Sequence, residues 1–151
     1  MTWNSDNMAN LDNPHEEINR LLDGNIRALS KLITLVESDP QILASVYPVI
    51  KDVGGRSHIV GITGPPGAGK STLSSALASL IRDTGRTVAI LACDPSSPFT
   101  GGSVLGDRVR MKSHYTDPGV FIRSISSRGS SGGLSTSTYG ITTLLDAFGF
   151  D

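Results

Sequence analysis

The stretch Gly64-Pro65-Pro66-Gly67-Ala68-Gly69-Lys70-Ser71 satisfies the pattern GxxxxGK(S/T) through Gly64, Gly69, Lys70 and Ser71. At average residue frequencies this pattern arises by chance in about one chain of this length in two hundred. Its surroundings lower that figure further. A short apolar run, Ile59-Val60-Gly61-Ile62-Thr63, leads into the loop, and Leu73, Ala76, Leu77, Leu80 and Ile81 recur behind it on one helical face. Strand, glycine-rich loop and helix in that order are the context in which the pattern holds phosphate. Glycines let successive backbone N–H groups converge on an anion, and the helix N-terminus adds a partial positive charge. Lys70 is placed to reach the β- and γ-phosphates, and the Ser71 hydroxyl to ligate magnesium. Gly64 to Ser71, with Thr72 beside them, are therefore read as a binding site for a nucleoside triphosphate with Mg2+.

Working outward toward the C-terminus, Thr87-Val88-Ala89-Ile90-Leu91-Ala92-Cys93 predicts a buried strand, stopped by Asp94-Pro95. Val120-Phe121-Ile122-Arg123-Ser124-Ile125 predicts another. Between them lie turn chemistry at Gly101-Gly102 and a predicted helix around Val104–Lys112. A polar loop, Ser126 to Gly133, precedes a predicted helix from about Ser135 to Ala147. Strands alternating with helices indicate a parallel sheet covered on both faces, hence an α/β class. Three strands would leave an open edge, so the chain reads as the N-terminal portion of a longer protein.

Asp94 lies at the carboxyl end of a predicted strand, where ligands gather in open α/β sheets. Its carboxylate there suits magnesium, directly or through water. Capping the turn through Asp94-Pro95-Ser96-Ser97 is the competing role. Asp107 has less positional support. Arg108, Arg110, Arg123 and Arg128 are each able to meet phosphate, although most arginines are simply solvated.

Toward the N-terminus, Asn13-Pro14 followed by Glu16 and Glu17 reads as a helix start. Apolar residues at Ile18, Leu21, Leu22, Ile26, Leu29, Leu32, Ile33 and Val36 keep a helical period, which predicts one amphipathic helix of about five turns. Ser38-Asp39-Pro40 breaks it, and Gln41 to Lys51 predicts a second, shorter helix. Residues 1–54 are thus expected to form a helical extension and 55–151 the N-terminal part of a P-loop domain. The extension serves either to pack on that domain or as a docking or dimerisation face.

Composition narrows the classes of function. Thirteen basic residues against fourteen acidic ones, with no basic tract, give no support to a nucleic-acid surface. No apolar stretch approaches the roughly 20 residues that span a bilayer, and the polar N-terminus lacks a signal peptide's pattern. The lone Cys93 excludes an internal disulfide and suits a reducing compartment, with the cytoplasm as the default reading. His15, His58 and His114 have no metal-binding spacing.

Read together, Gly64–Thr72, Asp94–Met111 and Val120–Gly133 resemble the ArgK/MeaB family of P-loop GTPases associated with methylmalonyl-CoA mutase. The uninterrupted block from Asp94-Pro95-Ser96-Ser97-Pro98-Phe99 to Gly106-Asp107-Arg108 carries most of the specificity. Phe121-Ile122-Arg123-Ser124, with Ser127-Arg128-Gly129 and Gly132-Gly133, is similar to the family's next block. The resemblance implies a GTP/GDP-binding, GTP-hydrolysing chaperone-like protein, homodimeric at full length. It would guard a cobalamin-dependent acyl-CoA mutase, of the methylmalonyl-CoA type or a related one. It implies catalytic roles for Lys70 and Asp107 and a magnesium site drawing on Ser71, Asp94 and Asp107. The family's Glu-Thr-x-Gly switch and guanine-reading Asn-Lys-x-Asp do not occur in these residues, so GTP and ATP are not distinguished by them. A P-loop kinase or ATPase, and a nucleotide-binding module without turnover, are the alternatives.

Overall fold

In a computed structural model the described residues are 13–94, 114–126 and 137–151. They form α1 (Pro14–Leu22), α2 (Ile26–Ser38), α3 (Gln41–Ile50), α4 (Lys70–Asp83), β1 (Val88–Asp94), β2 (Val120–Ser126) and α5 (Ser137–Phe148). The architecture is α/β, and the contacts divide it into two compact units. The predicted turn at 101–102 and helix around 104–112 lie outside the described residues; of the loop expected from Ser126 to Gly133, Ser126 ends β2 and the rest also lies outside them.

The first unit is helical and draws on residues 13–56 and 137–149. The single long helix expected from the apolar period is two helices here. Gly24, at φ 79°, takes the left-handed conformation that ends α1, and Asn25 starts α2 by accepting from the N–H groups of Arg27 (3.0 Å) and Ala28 (3.1 Å). Such a cap contributes about 1 kcal/mol. Asn13 caps α1 in the same way, accepting from His15 N–H at 3.1 Å. Periodicity survives a break of this kind because three intervening residues nearly complete a turn, so the apolar stripe stays in phase.

Ile18, Leu21, Leu29, Leu32, Ile33, Val36, Val46, Ile50, Ile141 and Leu144 are essentially inaccessible to solvent and form this unit's core. Each fully buried aliphatic side chain contributes about 1.5–3 kcal/mol before entropy is counted. Gly140 is where α5 comes closest: a Cβ there would lie 2.9 Å from Val36 Cγ1 and 3.1 Å from Leu43 Cδ2. Glu17 does more than complement a dipole. Its carboxylate is buried and accepts from Arg20 Nη1 (3.1 Å) and Lys31 Nζ (2.9 Å), which ties α1 to α2. The Asp146 carboxylate accepts from the N–H groups of Gly55 and Arg56, so the chain leaving the unit is held by α5.

The second unit draws on residues 57–94, 114–126 and 150–151. Among them the sheet consists of β1 and β2, parallel and in register from Val88 opposite Val120 to Asp94 opposite Ser126. α4 packs against β1. Phe150 lies against Phe121, ring centroids 6.0 Å apart.

The strand expected at Ile59–Thr63 does not enter this sheet. Ile59 is 69% exposed and Val60 55%. Apolar composition makes a run suited to a sheet, but a strand exists only where a neighbour supplies the ladder. Just before the run, the Asp151 carbonyl accepts from His58 N–H at 2.7 Å, and Ser57 Oγ donates to the Phe150 carbonyl.

Candidate functional site

The site grows from the glycine-rich loop and the first turn of α4. Gly67 (φ 78°) and Gly69 (φ 83°) hold left-handed conformations, and Gly69 is the residue from which α4 starts. A side chain at either position would be strained, so these glycines are there for the backbone path. Ala68 N–H closes a turn on the Pro65 carbonyl at 3.3 Å, and Leu73 N–H makes an early helical bond to the Gly69 carbonyl at 2.9 Å. The N–H groups of Lys70, Ser71 and Thr72 precede that bond, in the turn where a helix has no internal acceptors to offer. They give the loop a partial positive charge suited to an anion.

Lys70 is half-buried, and its ammonium donates to the carbonyls of Gly64 (2.8 Å) and Pro65 (2.9 Å). The side chain thus bridges from the helix back to the beginning of the loop. An ammonium has three N–H donors, two of which these carbonyls take. Ser71 follows within the first turn of α4, half-buried, and Thr72 is exposed beside it. Ser74 Oγ donates to the Lys70 carbonyl at 2.9 Å.

Of the acidic candidates, Asp94 is the last residue of β1, at the carboxyl end of both parallel strands. Asp107 lies outside the described residues, as do Arg108, Arg110 and Arg128. Arg123 sits in β2 opposite Leu91. Among the described residues no group of three or more His, Cys, Asp or Glu side chains gathers as a metal site.

Two contacts on α4 have no signature in the sequence, because their partners are 39 and 35 residues away. Ser75 Oγ lies 2.9 Å from Nε2 of His114, which is buried. Arg82 makes a two-pronged pair with Asp117, Nε to Oδ2 at 2.9 Å and Nη2 to Oδ1 at 3.0 Å. Its third prong, Nη1, donates to the Arg86 carbonyl. Arg82 first, then the Gly119 N–H, holds the Asp117 carboxyl below its ordinary range.

A depressed folded-state value means that the pair stabilises above the unfolded carboxylate's pKa and loses that effect as pH falls through the folded value. The difference in thermal midpoint between wild type and Asp117→Asn should therefore be constant near neutrality and shrink below about pH 4. Melting curves across that range check it; a difference that grows on acidification would contradict the assignment.

Comparison with known proteins adds a family. The family model described as methylmalonyl-CoA mutase-associated GTPase MeaB matches residues 29–151. A protein of Pyrococcus horikoshii named as a GTPase is 55% identical over 140 residues, covering 90% of this chain and 43% of its own length. GTPase ArgK of Escherichia coli is 40% identical, with 90% and 42% covered. The mitochondrial methylmalonic aciduria type A homolog of Caenorhabditis elegans is 36% identical, with 97% and 41% covered. The chain spans less than half the length of these curated relatives.

Proposed function

The chain belongs to the MeaB family of methylmalonyl-CoA mutase-associated GTPases, and from that premise we propose that it binds GTP with magnesium in the service of GTP hydrolysis. The observation that carries the reading is the Lys70 bridge across the loop, on a helix that starts at a left-handed glycine. The ammonium's charge and remaining N–H would meet the β- and γ-phosphates, while the first-turn N–H groups of α4 cradle them. Ser71 would hold magnesium, with Asp94 and Asp107 supplying carboxylate oxygen directly or through water. The metal, when bound, neutralises charge on the phosphate oxygens. Lys70 and Asp107 are proposed as the residues acting on the γ-phosphate.

The proposed biological role is that of a chaperone-like GTPase acting on a cobalamin-dependent acyl-CoA mutase, homodimeric and cytoplasmic. The link to a mutase is supported by the family's description and by the name of the worm relative, which points to methylmalonic aciduria. No described helix is long and apolar enough to cross a membrane.

Titration of the full-length protein with fluorescent GTP and ATP analogues, with magnesium and with a chelator, tests the nucleotide reading. Binding should require magnesium for full strength and favour GTP by about tenfold or more, a difference of 1.4 kcal/mol. Clear preference for ATP would sink the guanine assignment and favour a kinase or ATPase.

A further inference from the structure

We propose that Ser75 and His114 form a positioning pair that sets the direction in which α4 presents its N-terminus to phosphate; the proposal rests on the nucleotide-binding reading above. His114 is 5% exposed, and its Nε2 lies 2.9 Å from Ser75 Oγ and 3.1 Å from the Ser75 carbonyl. Either tautomer finds a partner there: an N–H donates to the carbonyl or hydroxyl oxygen, and a bare nitrogen accepts from the hydroxyl. Serine is a poor choice in the middle of a helix, and histidine is an uncommon core residue. Two aliphatic side chains would fill the same space. What the polar pair adds is a directional bond.

The placement of that bond gives it a consequence. Ser75 and Arg82 are seven positions apart on α4, hence on one face and about 10 Å apart along the axis. Residues 114 and 117 meet that face at these two heights, through His114 and Asp117. The same turn is fixed to the sheet, because the Gly119 carbonyl accepts from Val88 N–H at 2.9 Å and Val120 opens β2. Sheet, turn and helix are thereby joined at two points, and two points fix an axis. The Arg82 pair holds the end far from the loop, and the His114 pair holds the half that carries Lys70. Lys70 lies about 18 Å along the axis from Arg82, so a tilt of about 3° around the far anchor displaces it by about 1 Å. A misplacement of that size matters for groups that must meet a phosphate.

The far anchor supplies the internal control. Affinity for a fluorescent magnesium-GTP analogue and the thermal midpoint are measured for wild type, His114→Ala, His114→Gln, Ser75→Ala and Asp117→Asn. His114→Ala and Ser75→Ala should weaken affinity about threefold to tenfold, the scale of one lost hydrogen bond. His114→Gln should recover most of it, because the glutamine amide nitrogen reaches the place of Nε2. Asp117→Asn should lower the midpoint while affinity stays within about twofold of wild type. Unchanged affinity in His114→Ala and Ser75→Ala overturns the proposal. So does an equal loss in Asp117→Asn at a matched midpoint, which would make the effect one of general stability. A wild-type protein that binds no nucleotide overturns the function reading itself, and this proposal with it.

Discussion

Lys70→Ala is expected to lower affinity for a magnesium-bound nucleoside triphosphate by about a hundredfold, with little change in fold. The size follows from what is removed. Hydrogen bonds to charged groups contribute about 1.5–3 kcal/mol each, and a phosphate loses its nearest full positive charge. The fold should hold because alanine is the better helix former and Lys70 belongs to no ion pair in the described structure. Its bonds to the Gly64 and Pro65 carbonyls brace an exposed loop rather than a core. Fluorescence anisotropy gives the affinity and circular dichroism the fold. Lys70→Arg should not rescue binding, since a planar fork does not replace a compact ammonium inside a closed loop. Affinity within about threefold of wild type for Lys70→Ala would remove Lys70 from the phosphate site.

Leu144→Ala carries the second large effect, on stability. Leu144 is fully buried in α5, a helix that packs against α2. Truncating a buried leucine costs about 2–5 kcal/mol, a large fraction of the 5–15 kcal/mol by which a domain is stable. Tyr139, on the same helix but 70% exposed, gives the contrast: Tyr139→Ala should lie within about 0.5 kcal/mol of wild type. Denaturant melts followed by circular dichroism measure both. If the two substitutions cost the same, α5 does not contribute the core assigned to it.

How legible each part was depends on the range of the interactions that create it. The course of the loop was legible, since Gly67, Gly69 and Lys70 act on their own neighbours. The ends of α4 were legible for the same reason, with Gly69 before it and Gly85, at φ 81°, after it. β1 and β2 were found within a residue or two from apolar runs and their stops. The long helix failed at Gly24, where a left-handed glycine interrupts the chain without disturbing the period. Ile59–Thr63 failed differently: its composition suits a strand, but a ladder belongs to two segments and not to one.

The sequence by itself determined the α/β class, the glycine-rich turn from which α4 starts at Lys70, and the apolar faces of the helices, all of which rest on neighbours within a few residues. Only the tertiary structure decided that α5, distant in the chain, completes the core of the N-terminal helices, and that α4 is braced by His114 and Asp117. The physical reason is that burial and hydrogen bonding are indifferent to sequence separation. An apolar stripe states that it will be covered, and a buried histidine that it must be bonded, but neither names its partner. Folding supplies that name.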